Sequence, residues 1–328
     1  MRRIAMLTVF AGFQICLQLW LQLWVSAPAF AQSEAIMEAE ADRAQGLNSA
    51  TPTTASINTS AEGLSKARLW FNEARRNFSS GFFNFATAPM KYTNLGGGQV
   101  FTYNYLSLEY RLGRQQKISF RPVFMYAFAG TDDRGFYRDE SFQWGDAFIN
   151  YTHYDLFNLP FDFDVISQLK VYAPTGNSSR DRGMLTRIRP YFIASRVMAP
   201  RWSLNLHFQP DYYINERTSY LNERGFVYTN RHYGYEAFAE VNYRINRYFA
   251  AAGSFGHDQM WSHPSVANGQ SEFRNEELRA DASVSVFYKG LISAVGVSQK
   301  HDVLRPRRGL RVFHDEETSY YVRSFYRF

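Results

Sequence analysis

Side chains able to carry charge or exchange protons recur in this chain at alternate positions rather than in tight clusters. Glu109, Arg111, Lys117 and Arg121 come first, then Asp162, Asp164 and Lys170, then Arg187, Arg189, His207 and Asp211, and finally Glu236, Glu240, Arg244, Glu277, Arg279 and Asp281, with Arg323 near the end. A two-residue period places such groups on one face of a strand, where both signs pair across neighbours or orient a polar solute. Nucleophilic chemistry has one candidate, His263 and Ser265 with Asn268, although Pro264 separates base from nucleophile and the stretch reads as a loop. His207 with Asp211, and His232 with Glu236, fit hydrogen-bonding groups of a wet face better than catalytic pairs. No metal-ligand spacing stands out, so no metal, cofactor or enzymatic activity is expected. Arg305, Arg307, Arg308 and Arg311 form a basic cluster suited to phosphate, and Asp315, Glu316 and Glu317 an acidic one suited to divalent cations; plain solvation is the alternative for both.

The elements that must present these groups are strands. Between Trp202 and Ile214 the even positions are Trp, Leu, Leu, Phe, Pro, Tyr and Ile, while the odd ones are polar apart from Tyr213. The same split holds from Glu277 to Tyr288, with Phe287 as the exception, and from His232 to Ile245, with Phe238 out of place. Half-buried strands of this length are long enough to cross a bilayer at a tilt. Further strands are predicted over 99–112, 117–129, 142–155, 161–173, 184–197, 248–260, 291–300 and 318–328. Short turns near 113–116, 158–160, 199–201, 246–247 and 289–290 alternate with long polar loops, the layout of a transmembrane barrel. Parity then requires one more strand, placed between residues 79 and 93 through Phe82, Phe83 and Phe85 and interrupted at Pro89. The expected fold is therefore an all-β, antiparallel transmembrane β-barrel of 12 strands, with 10 as the alternative.

Ahead of the strands, Arg2 and Arg3, the apolar run from Ile4 to Val25 and Ala29-Phe30-Ala31 read as a signal peptide over 1–31. Cys16, the only cysteine, falls inside it, so the mature chain would hold no disulfide or thiolate. Residues 32–78 read as a flexible leader ending in a short amphipathic helix, in which Ala67, Phe71, Ala74 and Phe78 recur as apolar or small positions and Lys66, Arg68, Arg75 and Arg76 supply positive charge. The barrel is placed at 79–328.

The ending Tyr320, Val322, Ser324, Tyr326, Phe328 resembles the C-terminal signature of bacterial outer-membrane proteins. That resemblance implies location in the bacterial outer membrane and recognition by the outer-membrane assembly machinery, with Tyr326 and Phe328 as the assembly signal. Gly145-Asp146 and, later, Lys170-Val171-Tyr172-Ala173-Pro174-Thr175-Gly176 resemble the pattern of the phenol-degradation meta-pathway barrel family. It implies passage of hydrophobic or aromatic compounds across the outer membrane. The His263, Ser265, Asn268 set faintly resembles outer-membrane phospholipase A, which implies a lipid-active enzyme as a further alternative.

Composition supports this frame. Of 328 residues 45% are hydrophobic and 17% aromatic, far more than a disordered chain carries, whereas a mean hydropathy of -0.37 excludes a bundle of apolar spanning helices. The net charge of +6 is a modest excess that suits an anionic lipid surface. The expected partners are outer-membrane lipid and lipopolysaccharide, the assembly machinery and small solutes, with no nucleic acid. The function read from the sequence is a channel or transporter for small solutes, with a structural barrel of filled lumen as the rival; the charged residues above would line that lumen.

Overall fold

The computed structural model describes residues 77–132, 135–159, 162–221, 227–264, 274–304 and 313–328. The signal segment, the leader and all but the end of the amphipathic helix lie outside the described residues, as do Ser265, Asn268 and the Arg305 to Arg311 cluster. Twelve antiparallel strands form the wall. They are β1 Phe78–Pro89, β2 Phe101–Arg111, β3 Gln116–Arg121 continued by Val123–Ala127, β4 Ser141–Trp144 continued by Phe148–His153, β5 Phe163–Tyr172 and β6 Met184–Ala199. The second half comprises β7 Trp202–Asn215, β8 Arg231–Arg244, β9 Phe249–Ser262, β10 Arg274–Tyr288, β11 Leu291–Asp302 and β12 Thr318–Arg327. Each pairs with its sequence neighbours, and β1 pairs with both β2 and β12, which closes the sheet. The strand required by parity is thus β1. Pro89 ends it, because a proline has no N–H for the ladder, and the short helix α1 Met90–Asn94 follows.

Turn chemistry fits each end. Lys289 and Gly290, both at positive φ, make the two-residue hairpin between β10 and β11. On the opposite side the connections are long and carry their own structure: the helix α2 Asn177–Asp181, and small hairpins pairing 130–131 with 137–138 and 219–221 with 227–229.

The two faces of the wall have inverted chemistry relative to a water-soluble protein. Leu106, Leu108 and Tyr110 on β2, Trp202, Leu206, Phe208 and Tyr212 on β7, and Val284, Val286 and Tyr288 on β10 are exposed, while the residues between them are mostly covered. His207 is 3% accessible and its neighbour Phe208 48%. A continuous apolar outer surface of this kind is stable only against lipid. Ser324, the one small polar residue of the C-terminal pattern, shares a hydrogen bond of 2.8 Å with Ser293 of β11, so these two hydroxyls satisfy each other.

Inside, Phe83, Phe85, Tyr105, Val123, Phe148, Tyr172, Ile292, Tyr321 and Phe325 pack into an apolar cluster. Phe83 stacks on Tyr105 with centroids 4.8 Å apart, and Phe148 lies 4.7 Å from Tyr172. Both breaks in alternation are explained here. Phe287 packs against this cluster, and Phe238 lies parallel to the His207 imidazole at 4.0 Å. Phe238 also sits directly over Gly256, where an added Cβ would meet Phe238 Cβ and come within 2.6 Å of the Ala237 carbonyl oxygen. Because two of the obstructing atoms, the Ala237 oxygen and Phe238 Cα, are backbone, Gly256→Val is expected to destabilise the barrel by about 1–3 kcal/mol. The urea midpoint for loss of the compact species on unheated gels measures this.

Candidate functional site

The inward faces bring most of the predicted charged residues together in three places. At the short-turn end Glu109, 1% accessible, receives Arg327 Nη2 at 2.9 Å, the Ser107 hydroxyl at 2.9 Å and Lys117 Nζ at 3.5 Å, with Arg121 Nη2 at 4.0 Å. One carboxylate thus sits among three buried cations. Cations here also face aromatic rings: the Arg121 guanidinium lies 5.0 Å from the Tyr105 centroid, and Lys170 Nζ lies 5.7 Å from that of Phe148. At mid-depth His207 is held by the Tyr191 hydroxyl at 2.8 Å. Towards the long loops, Arg187 forms a fork with Asp211 at 2.7 and 2.5 Å, and Arg189 reaches Glu236 at 2.6 Å and Asp211 at 3.5 Å. Such bidentate, desolvated pairs hold two charges in one geometry.

Register orders the remaining charges by height. Gln209, Glu236, Asp258, Glu277 and Asp302 are successive cross-strand partners from β7 to β11. One row nearer the short turns lie His207, Phe238, Gly256, Arg279 and Lys300, and the next contains Asn205, Glu240, Ser254 and Asp281. An acidic row therefore sits above a basic one, with acid again beneath. Lys300 links the first two at 3.5 Å from Glu277, while Glu240 accepts hydrogen bonds from the side-chain amides of Asn205 and Asn242 and Asp281 accepts one from the Ser254 hydroxyl.

Four predicted residues sit away from this interior. Asp162 is in the β4–β5 turn at φ 58°, and Arg111, Asp164 and Arg244 are exposed at strand ends on the short-turn side. They share the parity of the inner face but lie beyond its covered part, because the alternation rule gives a face and not a height. The pairings suggested by spacing also differ: His207 bonds Tyr191 instead of Asp211, and His232 stacks on His263 while Glu236 holds Arg189. Arg327, Asp258 and Lys300 were missed. Arg327 could have been found from parity, four residues beyond Arg323 on the same face.

The acidic cluster near the end is engaged with donors. Glu316 pairs with Lys91 of α1 at 3.1 Å, which raises the Lys91 pKa, and Glu317 accepts from Gln299 at 3.3 Å and lies 3.1 Å from His301. No cluster of three or more potential metal ligands occurs among the described residues.

Above the aromatic cluster the interior holds a cavity of about 320 Å³. Tyr103, Met125, Tyr172 and Met260 supply apolar surface, and Arg187, Arg189, Asp211, Glu236, Asp258 and Glu277 supply charge. Gly145, Asp146 and Gly176 also line it, which gives the sequence motif at those positions a structural role. The β4 segment Ser141–Trp144 pairs with β3 on one side, and below it a clamp ties the wall to the β5–β6 connection. Asp146 accepts from the Gly176 amide at 3.0 Å and the Ser179 hydroxyl at 2.5 Å, while Thr175 Oγ1 donates to the Gly145 carbonyl at 2.8 Å and accepts from the Ala147 amide at 2.7 Å.

A closed sheet with an apolar outside and a charged, hydrogen-bonded inside satisfies every demand of a bilayer. The chain is a closed transmembrane β-barrel. No protein-family model matches it, and no curated protein matches it in sequence. One solved structure shares the fold. The COG4313 outer membrane channel from Pseudomonas putida F1 superposes with a TM-score of 0.50 at 14% identity, over 77% of this chain and 96% of that one. The KdgM porin, solved with disordered oligogalacturonate, gives 0.41 at 10% identity over 75% and 98%, and the TodX monoaromatic hydrocarbon channel gives 0.35 at 8% over 76% and 88%.

Proposed function

We propose that this barrel is a narrow channel or transporter for small solutes, with hydrophobic or aromatic compounds as the class its interior suits. The observation that carries the reading is the cavity on the long-loop side, walled by aromatic and methionine side chains on one flank and by paired charges on the other. A site of this size that combines apolar walls with fixed charged groups suits a small molecule that is part apolar and part polar. The Pseudomonas putida F1 protein is described as an outer membrane channel, and the same role is proposed here. The inward charges from Glu109 to Asp281 would then line the path, and Tyr326 and Phe328, exposed on the outer face with rings 5.4 Å apart, would serve assembly.

A second reading rests on the aromatic cluster and the Glu109 group, which fill the interior below the cavity and favour a structural barrel. Single-channel recording of the refolded mature protein separates the two, with and without residues 32–76. Small, stable conductance steps are expected for the channel, larger ones after the deletion if that segment narrows the path. Silence in both forms would favour the filled barrel. We further propose that the chain conducts without catalysing; phospholipid hydrolysis abolished by Ser265→Ala would overturn that.

A further inference from the structure

Two groups in the rows described above lack the partners that their charge and burial demand. Arg279 is 3% accessible, yet no hydrogen bond reaches any of its three guanidinium nitrogens among the described residues. The carboxylate of Asp281 stands 3.8 Å from its Nε, beyond hydrogen-bond length. Asp258, in the acidic row one step above and lining the cavity, makes no hydrogen bond or ion pair among the described residues. The other acids around that cavity are engaged: Asp211 by Arg187, Glu236 by Arg189 and Glu277 by Lys300. Like charges on adjacent strands repel, and an unmet buried guanidinium is costly, so both groups favour a complementary visitor.

We infer that the acidic row and Arg279 form a binding site for a small zwitterion with an apolar body, the ammonium seated at Asp258 and the carboxylate turned to Arg279. A solute carrying one charge alone meets a repelling row, an anion at the acids and a cation at Arg279 and Lys300. A molecule carrying both meets attraction at both heights. Its apolar part then has Tyr103, Met125, Tyr172 and Met260 to pack against. The inference rests on the small-solute reading proposed above and names the solute class.

Isothermal titration of the full mature protein in detergent, against protein-free micelles, tests it with three near-isosteric probes: phenylalanine, phenylacetate and 2-phenylethylamine. Phenylalanine is expected to bind at least about tenfold more tightly than either single-charge analogue, the equivalent of one further desolvated charge contact. Asp258→Asn should remove its advantage over phenylacetate, and Arg279→Gln its advantage over 2-phenylethylamine. Arg279→Lys, which keeps the charge, should retain part of the latter, and the Asp258 arm stands even if the Arg279 variants fail to fold. Equal affinity for the three probes, no binding, or indifference to Asp258→Asn overturns the zwitterion site. Conductance of the same preparation reports separately on the channel itself, so steps without selective binding would overturn the site and leave the channel standing.

Discussion

Replacing Glu109 with glutamine is expected to lower the stability of the refolded barrel by about 3–5 kcal/mol, the usual cost of stranding a buried charge. The carboxylate is 1% accessible and lies among Lys117, Arg121 and Arg327, which come from β3 and β12 and are themselves almost wholly covered. Glutamine keeps the shape and one acceptor but leaves three positive charges with no counter-charge from this residue. Arg327 gives the effect a topological consequence. Its bond crosses β1 to reach β2, and the same guanidinium donates to Ser79, so this one ion pair braces the closing seam of the sheet. The Phe328 amide, bonded to the Ser80 carbonyl at 3.0 Å, ends that seam. Urea unfolding followed by gel mobility of unheated samples measures the loss. Adding Arg327→Gln to Glu109→Gln should recover part of it, because the pair is coupled; strictly additive losses would show that the charges are balanced elsewhere.

Tyr105→Ala is the second large effect, and it reads on stability and permeation together. The ring stacks on Phe83 at 4.8 Å, meets Phe148 edge-on at 5.9 Å and lies beneath the Arg121 guanidinium at 5.0 Å, with no exposed surface. Its removal should cost about 3–5 kcal/mol through lost contact and the void left behind. If the aromatic cluster is the constriction of a channel, the same variant should raise single-channel conductance, since the vacated space lies inside the barrel beneath the cavity. A destabilised barrel with unchanged silence in the bilayer would instead identify the cluster as filling and favour the structural reading.

Alternation of side chains determined most of what the sequence could settle here. A strand places successive side chains on opposite faces, so Trp202 to Ile214 by itself assigned His207, Gln209 and Asp211 to one side and Leu206, Phe208 and Tyr212 to the other. The strand count followed from loop lengths and from the direction of the last strand, which is how β1 was located despite Pro89 and a poor pattern. Height and partnership are different quantities. They depend on register, shear and the reach of long side chains across a closed sheet, and none of these is a property of a single strand. That is why Asp162 and Arg244 shared the right parity but lie outside the interior, why His207 bonds Tyr191 rather than Asp211, and why the acidic row from Glu236 to Asp302 emerges only once β8 to β11 are set side by side. The misfit aromatics carried the same lesson. Phe238 and Phe287 broke the pattern because a barrel interior, unlike bulk water, has walls for a ring to pack against, and only closure of the sheet brings those walls together.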